Sequence, residues 1–217
     1  MNTSSNFMKS VFGALLVAAL AMPGIGKAVT YTDLASWQAA AGTYSDVSLA
    51  GYAEFETIAA GSGIDLAGQS TMTLDGSVQK RIVGSSWATW ADGRTPDVLY
   101  SASDVLGATF APDVTAFGMV LEPNLFNSFT MEVLLSDGSV ISQIVDGAAG
   151  ATFFGWAGVA IDSITISCLR KSDGTGCDGF AIGEMVIASA DVPEAASLIL
   201  LSIGLLAMGF GARRRRA

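Results

Sequence analysis

Glu54 and Glu56 stand two positions apart, and Glu184, far along the chain, is the acid that would complete a site with them. In a strand, residues i and i+2 project from one face. Such a pair could act as acid and nucleophile on a glycosidic bond or ligate calcium through oxygen. A solvated edge strand carries the same spacing with no chemistry at all. Trp87 and Trp90, in Ser-Ser-Trp-Ala-Thr-Trp, together with Tyr100 offer large rigid rings. They suit stacking on sugars or filling a core. Cys168 and Cys177 flank a short loop. In an oxidising compartment such a pair forms a local disulfide, and two thiols without histidine are too few to hold zinc.

No histidine is available to help: the 217 residues contain none. That excludes His-dependent triads, His-ligated metals and imidazole acid–base catalysis. Neither a glycine-rich phosphate loop nor a nucleophile elbow occurs. The chain is therefore read as non-enzymatic, with a carboxylate-based glycan hydrolase or lyase on Glu54 or Glu56 as the alternative. Net charge is −9 overall, but within residues 29–191 there are 19 acidic against five basic residues, a balance near −14. A field of that sign repels phosphate backbones, so nucleic acid is not expected as a partner. Cations, or neutral and cationic polymers, fit better.

The elements that must position these residues read as β-structure. One short helix comes first: Thr32 or Asp33 can cap it, Leu34, Trp37 and Ala41 follow at helical spacing, and Gly42 can end it. After residue 42 no helical period competes. Apolar alternation predicts strands at 71–74, 78–83, 114–121, 129–135, 140–145, 151–156, 161–167 and 180–187. Asp75-Gly76-Ser77 and Asp137-Gly138-Ser139 each read as a hairpin turn. Many short strands and no long helix predict a mainly β domain, an antiparallel β-sandwich of jelly-roll type with one short N-terminal helix.

Both ends of the chain differ in kind from this middle. Lys9 precedes an apolar run at 11–21, and Pro23, Gly24, Gly26 and Ala28 follow. This is the layout of a signal peptide over residues 1–28, cleaved after Ala28 or, as second choice, after Ala21. At the other end, the 17 residues 195–211 carry no charge. As a transmembrane helix they would reach about 25 Å, at the short end of a bilayer span. Arg213, Arg214, Arg215 and Arg216 then hold the C-terminus in the cytoplasm by the positive-inside rule. Pro193 cannot continue that helix backwards and biases Val192 toward extended geometry.

Val192-Pro193-Glu194, the uncharged span and the four arginines together resemble the PEP-CTERM sorting signal of Gram-negative bacteria, which the membrane protease exosortase recognises. Ala195 stands where the commonest form has a second proline. The resemblance implies a signal peptide at 1–28, an exported domain at 29–191 and a sorting signal at 192–217. As partners it implies the Sec translocon, signal peptidase and exosortase. The protein would be anchored transiently in the inner membrane and then reach the cell surface or medium. The alternative is a plain membrane-anchored periplasmic protein that is never cut.

A second resemblance runs through the domain. Ala53-Glu54-Phe55-Glu56-Thr57, the Asp137-Gly138-Ser139 hairpin, Phe153-Phe154-Gly155-Trp156, Ile161-Asp162-Ser163-Ile164 and Gly179-Phe180-Ala181-Ile182 look like the β-sandwich ectodomains that precede such tails. Those are similar to carbohydrate-binding jelly rolls, sometimes with a structural calcium. Gly183-Glu184 replaces their usual Asp-Asn. The expectation is a surface or matrix protein that interacts with exopolysaccharide in a biofilm. Trp87, Trp90 and Tyr100 are its candidate glycan contacts, and Glu54, Glu56 and Glu184 its candidate calcium ligands; no other cofactor is expected.

Overall fold

Asp33 starts α1 (Leu34–Ala41), the one α-helix among the described residues, by accepting a hydrogen bond from the Ser36 N–H at 2.8 Å. Gly42 ends it in a left-handed conformation (φ 72°), its N–H returning to the Gln38 carbonyl at 3.1 Å. The structure, a computed structural model, describes residues 26–169 and 176–188. The expected signal peptide up to residue 25, the Val192-Pro193-Glu194 motif, the expected span at 195–211 and the four arginines lie outside the described residues.

Twelve strands account for most of the other described residues. They are β1 (Val29–Tyr31), β2 (Ser45–Asp46), β3 (Thr57–Ile58), β4 (Gly63–Leu66), β5 (Ser70–Leu74) and β6 (Val78–Ile82), then β7 (Asp97–Ser101), β8 (Val105–Pro123), β9 (Ser128–Leu135), β10 (Val140–Asp146), β11 (Thr152–Leu169) and β12 (Phe180–Ala188). Every pairing between these strands is antiparallel. The domain is the expected antiparallel β-sandwich. Its two layers are joined by β8 and β11, which pair along most of their length and pass from one layer into the other. In the front sheet the C-terminal part of β8 and the N-terminal part of β11 continue through β12, β7, β6 and β3, with β1 on β11 and β2 on β12. In the back sheet their other parts continue through β9 and β10 on one side and β5 and β4 on the other.

Two expected strands, 151–156 and 161–167, are thus one. The register shifts between Ala157, Ile161 and Ser163, where Gly158 takes φ 106° and β11 changes layers. Expected strand 114–121 is likewise the second part of β8.

The two Asp-Gly-Ser turns do different things. Asp137-Gly138 closes a true β9–β10 hairpin, with Gly138 at φ 82° and the Asp137 carboxylate accepting from Ser139 N–H at 2.7 Å. Asp75-Gly76 does not: β5 pairs with β4 and β8, and β6 with β3 and β7. Its carboxylate instead accepts from the Gly107 N–H at 2.8 Å, tying the crossover between layers to β8.

Between the layers Phe110, Phe117 and Trp156 pack with centroids 5.3–5.8 Å apart, flanked by Met72, Leu121, Met131, Phe154 and Ile166. Cys168 on β11 and Cys177 before β12 form a disulfide across the layers, as expected. Ala28, at the expected cleavage point, is buried, and its N–H donates to Asp137 at 2.6 Å.

Candidate functional site

The outer face of the front sheet carries a second apolar cluster, separate from the core between the layers. Its strands present small residues, among them Ala116, Val120, Ala181, Val186 and Ala188. Three indoles lie over them: Trp37 from α1, and Trp87 and Trp90 from the connection between β6 and β7. Close approach of rings to strands explains the small residues. A Cβ at Gly118 would sit 2.3 Å from Phe153 Cζ, and one at Gly183 would sit 2.8–2.9 Å from Val98 and Trp90. Buried indole N–H groups need acceptors, and all three have one. Trp37 donates to the Trp156 carbonyl at 2.9 Å, Trp87 to Glu122 Oε2 at 2.6 Å and Trp90 to Glu184 Oε2 at 2.7 Å.

Glu122 is the residue that sequence reasoning missed. It sits near the end of β8, opposite Ala181 of β12, with 0 % of its surface exposed. Burial pushes its carboxyl up to about 7, against hydrogen bonds from Trp87, Thr89 and the backbone N–H groups of Ala149 and Gly150 that favour the charged form. The local hydrogen count agrees with a held proton. Thr89 Oγ1 lies 3.3 Å from Glu122 Oε1 and 3.2 Å from the Gly147 carbonyl. One hydroxyl hydrogen cannot serve both acceptors. With a proton on Glu122, the carboxyl donates to Thr89 and Thr89 donates to Gly147, so every group is satisfied. Glu122 therefore joins three segments at this end of the sandwich: 87–89, the end of β8, and the turn at 147–150.

Those same segments enclose a cleft of about 180 Å³. Ser86, Trp87, Ala88, Thr89, Asn124, Phe126 and Gly147 line it, none of them charged. Phe126 is 64 % exposed, while Trp87 is 8 % exposed. The Asn124 amide is held by donating to the Asp178 carbonyl at 3.0 Å. A larger groove, about 380 Å³, crosses the back sheet's outer face among Thr73, Thr109, Ser163 and Thr165.

Residues 191–216 match the family model of the PEP-CTERM protein-sorting motif. The chain carries a PEP-CTERM sorting signal. That motif is what exosortase recognises, so it marks the protein for export and for exosortase-dependent sorting. No curated protein matches the chain. Among solved structures it is similar to a CBM6 module of Clostridium stercorarium in complex with cellobiose, at 14 % identity and TM-score 0.27, covering 63 % of this chain and 95 % of that one. A CBM22–GH10 xylanase fragment of Clostridium thermocellum with xylohexaose gives 13 % identity and TM-score 0.27, covering 63 % and 28 %. A family 29 carbohydrate-binding module gives 12 % identity and TM-score 0.27, covering 70 % and 96 %. The sandwich architecture rests on the strand pairings above.

Ahead of the sorting signal, the residues singled out in the sequence fall into place as follows. Trp87 and Tyr100 are brought together, with ring centroids 5.5 Å apart, but they are not an open sugar platform. Trp87 and Trp90 are buried with their N–H groups turned onto Glu122 and Glu184, and the Arg81 guanidinium covers Tyr100 at 5.5 Å. Glu54 and Glu56 lie in a turn and not on a strand, with Phe55 between them at φ 65°. The hydroxyls of Ser86 and Ser85 hold the Glu54 carboxyl below its usual range, helped by Lys80 and Arg81. Glu56 accepts from the Ala53 N–H at 2.7 Å and closes its own turn. Glu184 is spoken for by Trp90 and an ion pair to Arg94. Among the described residues no three acidic or thiol side chains converge in a way that could hold a metal ion.

Proposed function

We propose that this exported protein works at the cell surface or in the extracellular matrix by binding, without catalysis, and that its partner is neutral exopolysaccharide of a biofilm. The sorting motif at 191–216 is the observation that carries the reading, because it sends an acidic domain to the outside of the cell. A balance near −14 over residues 29–191 repels anionic polymers and leaves neutral and cationic ones, of which the uncharged cleft lining favours the neutral. The carboxylates support binding over hydrolysis. A glycosidase needs two facing acids with one held protonated. Glu54 is instead held toward its charged form by serine hydroxyls, and Glu122, which burial does raise, has only uncharged hydrogen-bond partners.

Sorting then proceeds in order. The span at 195–211 stops in the inner membrane with Arg213–Arg216 in the cytoplasm, exosortase cuts near Val192-Pro193-Glu194, and the domain is released outward. Expressing the full chain with and without exosortase and weighing the product tests this. The expected product loses the arginine tail only when exosortase is present. A product that keeps Arg213–Arg216 in both strains would replace sorting by a permanent membrane anchor.

A further inference from the structure

The cleft above Glu122 is lined without charge on a strongly acidic domain. We infer that it is a binding site for a single neutral sugar residue, a chain end or a one-residue branch, and that Glu122 is the positioning residue that shapes it; this rests on the polysaccharide reading above. Size comes first. About 180 Å³ is below the ~300–1,000 Å³ of pockets that take drug-sized ligands, so the cleft suits a single ring rather than a long segment. Chemistry comes second. Phe126 lines the cleft and is 64 % exposed, an accessible aromatic ring of the kind that packs on the C–H face of a pyranose. The second N–H and the carbonyl of the Asn124 amide, with the remaining lone pairs of Thr89 Oγ1 and the Gly147 carbonyl, supply a donor and acceptors for sugar hydroxyls.

Charge decides the class. A cationic ligand would find no exposed carboxylate in the lining, and an anionic one would meet the field of the whole domain without a compensating base. The carboxyl that lies nearest is fully buried and spends its oxygens on Trp87 and Thr89. Its role is to hold three lining segments at fixed distances, so that the site is formed before the ligand arrives. A glutamine at position 122 keeps the geometry: its carbonyl can accept from Trp87, and its amide can donate to Thr89, which still donates to Gly147.

The full chain, purified in detergent, can be run through native gels containing galactomannan, hydroxyethylcellulose or alginate. Galactomannan, which carries one-residue neutral branches, should retard it most, and alginate not at all. Phe126→Ala and the cleft-filling Ala88→Trp should each weaken retardation at least tenfold. Glu122→Leu should do the same, with Glu122→Gln restoring binding. If Phe126→Ala and Ala88→Trp migrate like the unsubstituted protein in galactomannan, the cleft is not the site, although neutral-polysaccharide binding survives. If the unsubstituted protein is retarded by neither neutral polymer, both the cleft and the broader reading fall.

Discussion

The outer face of the front sheet is roofed by Trp37, Trp87 and Trp90, whereas the outer face of the back sheet lies open, with Leu134, Val140 and Ile144 46 %, 48 % and 76 % exposed. The strands beneath match their surroundings. Roofed strands carry alanine and glycine where rings press on them. Open strands alternate apolar residues inward with Thr73, Thr109 and Ser163 outward, in register across β5, β8 and β11. A roof made of tryptophan has a polar cost, since each indole brings an N–H that must be satisfied. On the front sheet, two acids of the strands, Glu122 and Glu184, meet that need. The buried carboxyl, and with it the cleft, is a consequence of covering one face and leaving the other bare.

The largest effect should come from removing part of the roof. Trp90→Ala is expected to cost about 3–5 kcal/mol, read by urea denaturation, because it empties the space above Gly183 and strips Glu184 of its indole donor. A cost no greater than that of an open-face change would show that the roof is decorative.

Glu122 should make the roof sensitive to pH. Its folded carboxyl sits near 7 against an ordinary 4.5, so the folded state holds the proton more tightly than the unfolded chain. Stability is then highest below the ordinary value and falls as pH rises through the folded one. Between pH 5 and pH 8 the loss should be about 2–3 kcal/mol. The absence of histidine leaves this window clear of the usual titrating side chain. Glu122→Gln should flatten the dependence.

Reducing Cys168–Cys177, which staples the two layers, should cost about 2–3 kcal/mol and lower the melting temperature without abolishing folding. The smallest effects belong to the open face. Leu134→Thr and Ile144→Thr should stay within about 0.5 kcal/mol of the starting protein; losses comparable to Trp90→Ala would mean that this face is not free.

Local signals in the sequence are legible wherever the partner is close along the chain. Asp33 and Gly42 bracket α1, and Asp137-Gly138 closes its hairpin, because capping and turn chemistry act within a few residues. Asp75-Gly76 shows the limit: the same tripeptide becomes a crossover because β5 and β6 find partners in different layers. The tryptophans are visible as special residues, but their role is not. What they bond is 35 positions away for Trp87 and 94 for Trp90. Glu122 does leave a trace, as an acid continuing the apolar run 114–121. A strand buried on both faces reads as an unbroken apolar run, so an acid appended to one is a candidate for burial. Only the roof, which comes earlier in the chain, turns that candidate into a fact.

A protonated carboxyl under Trp87 holds the cleft's three segments together, and a side-chain carboxyl titration of Glu122 by ¹³C NMR, with Glu122→Gln identifying the signal, measures that proton itself. The structure predicts a midpoint near 7. A midpoint at the ordinary 4.5 would mean that Glu122 is charged at neutral pH, that Thr89 donates to it and not to Gly147, and that the cleft is not held as described.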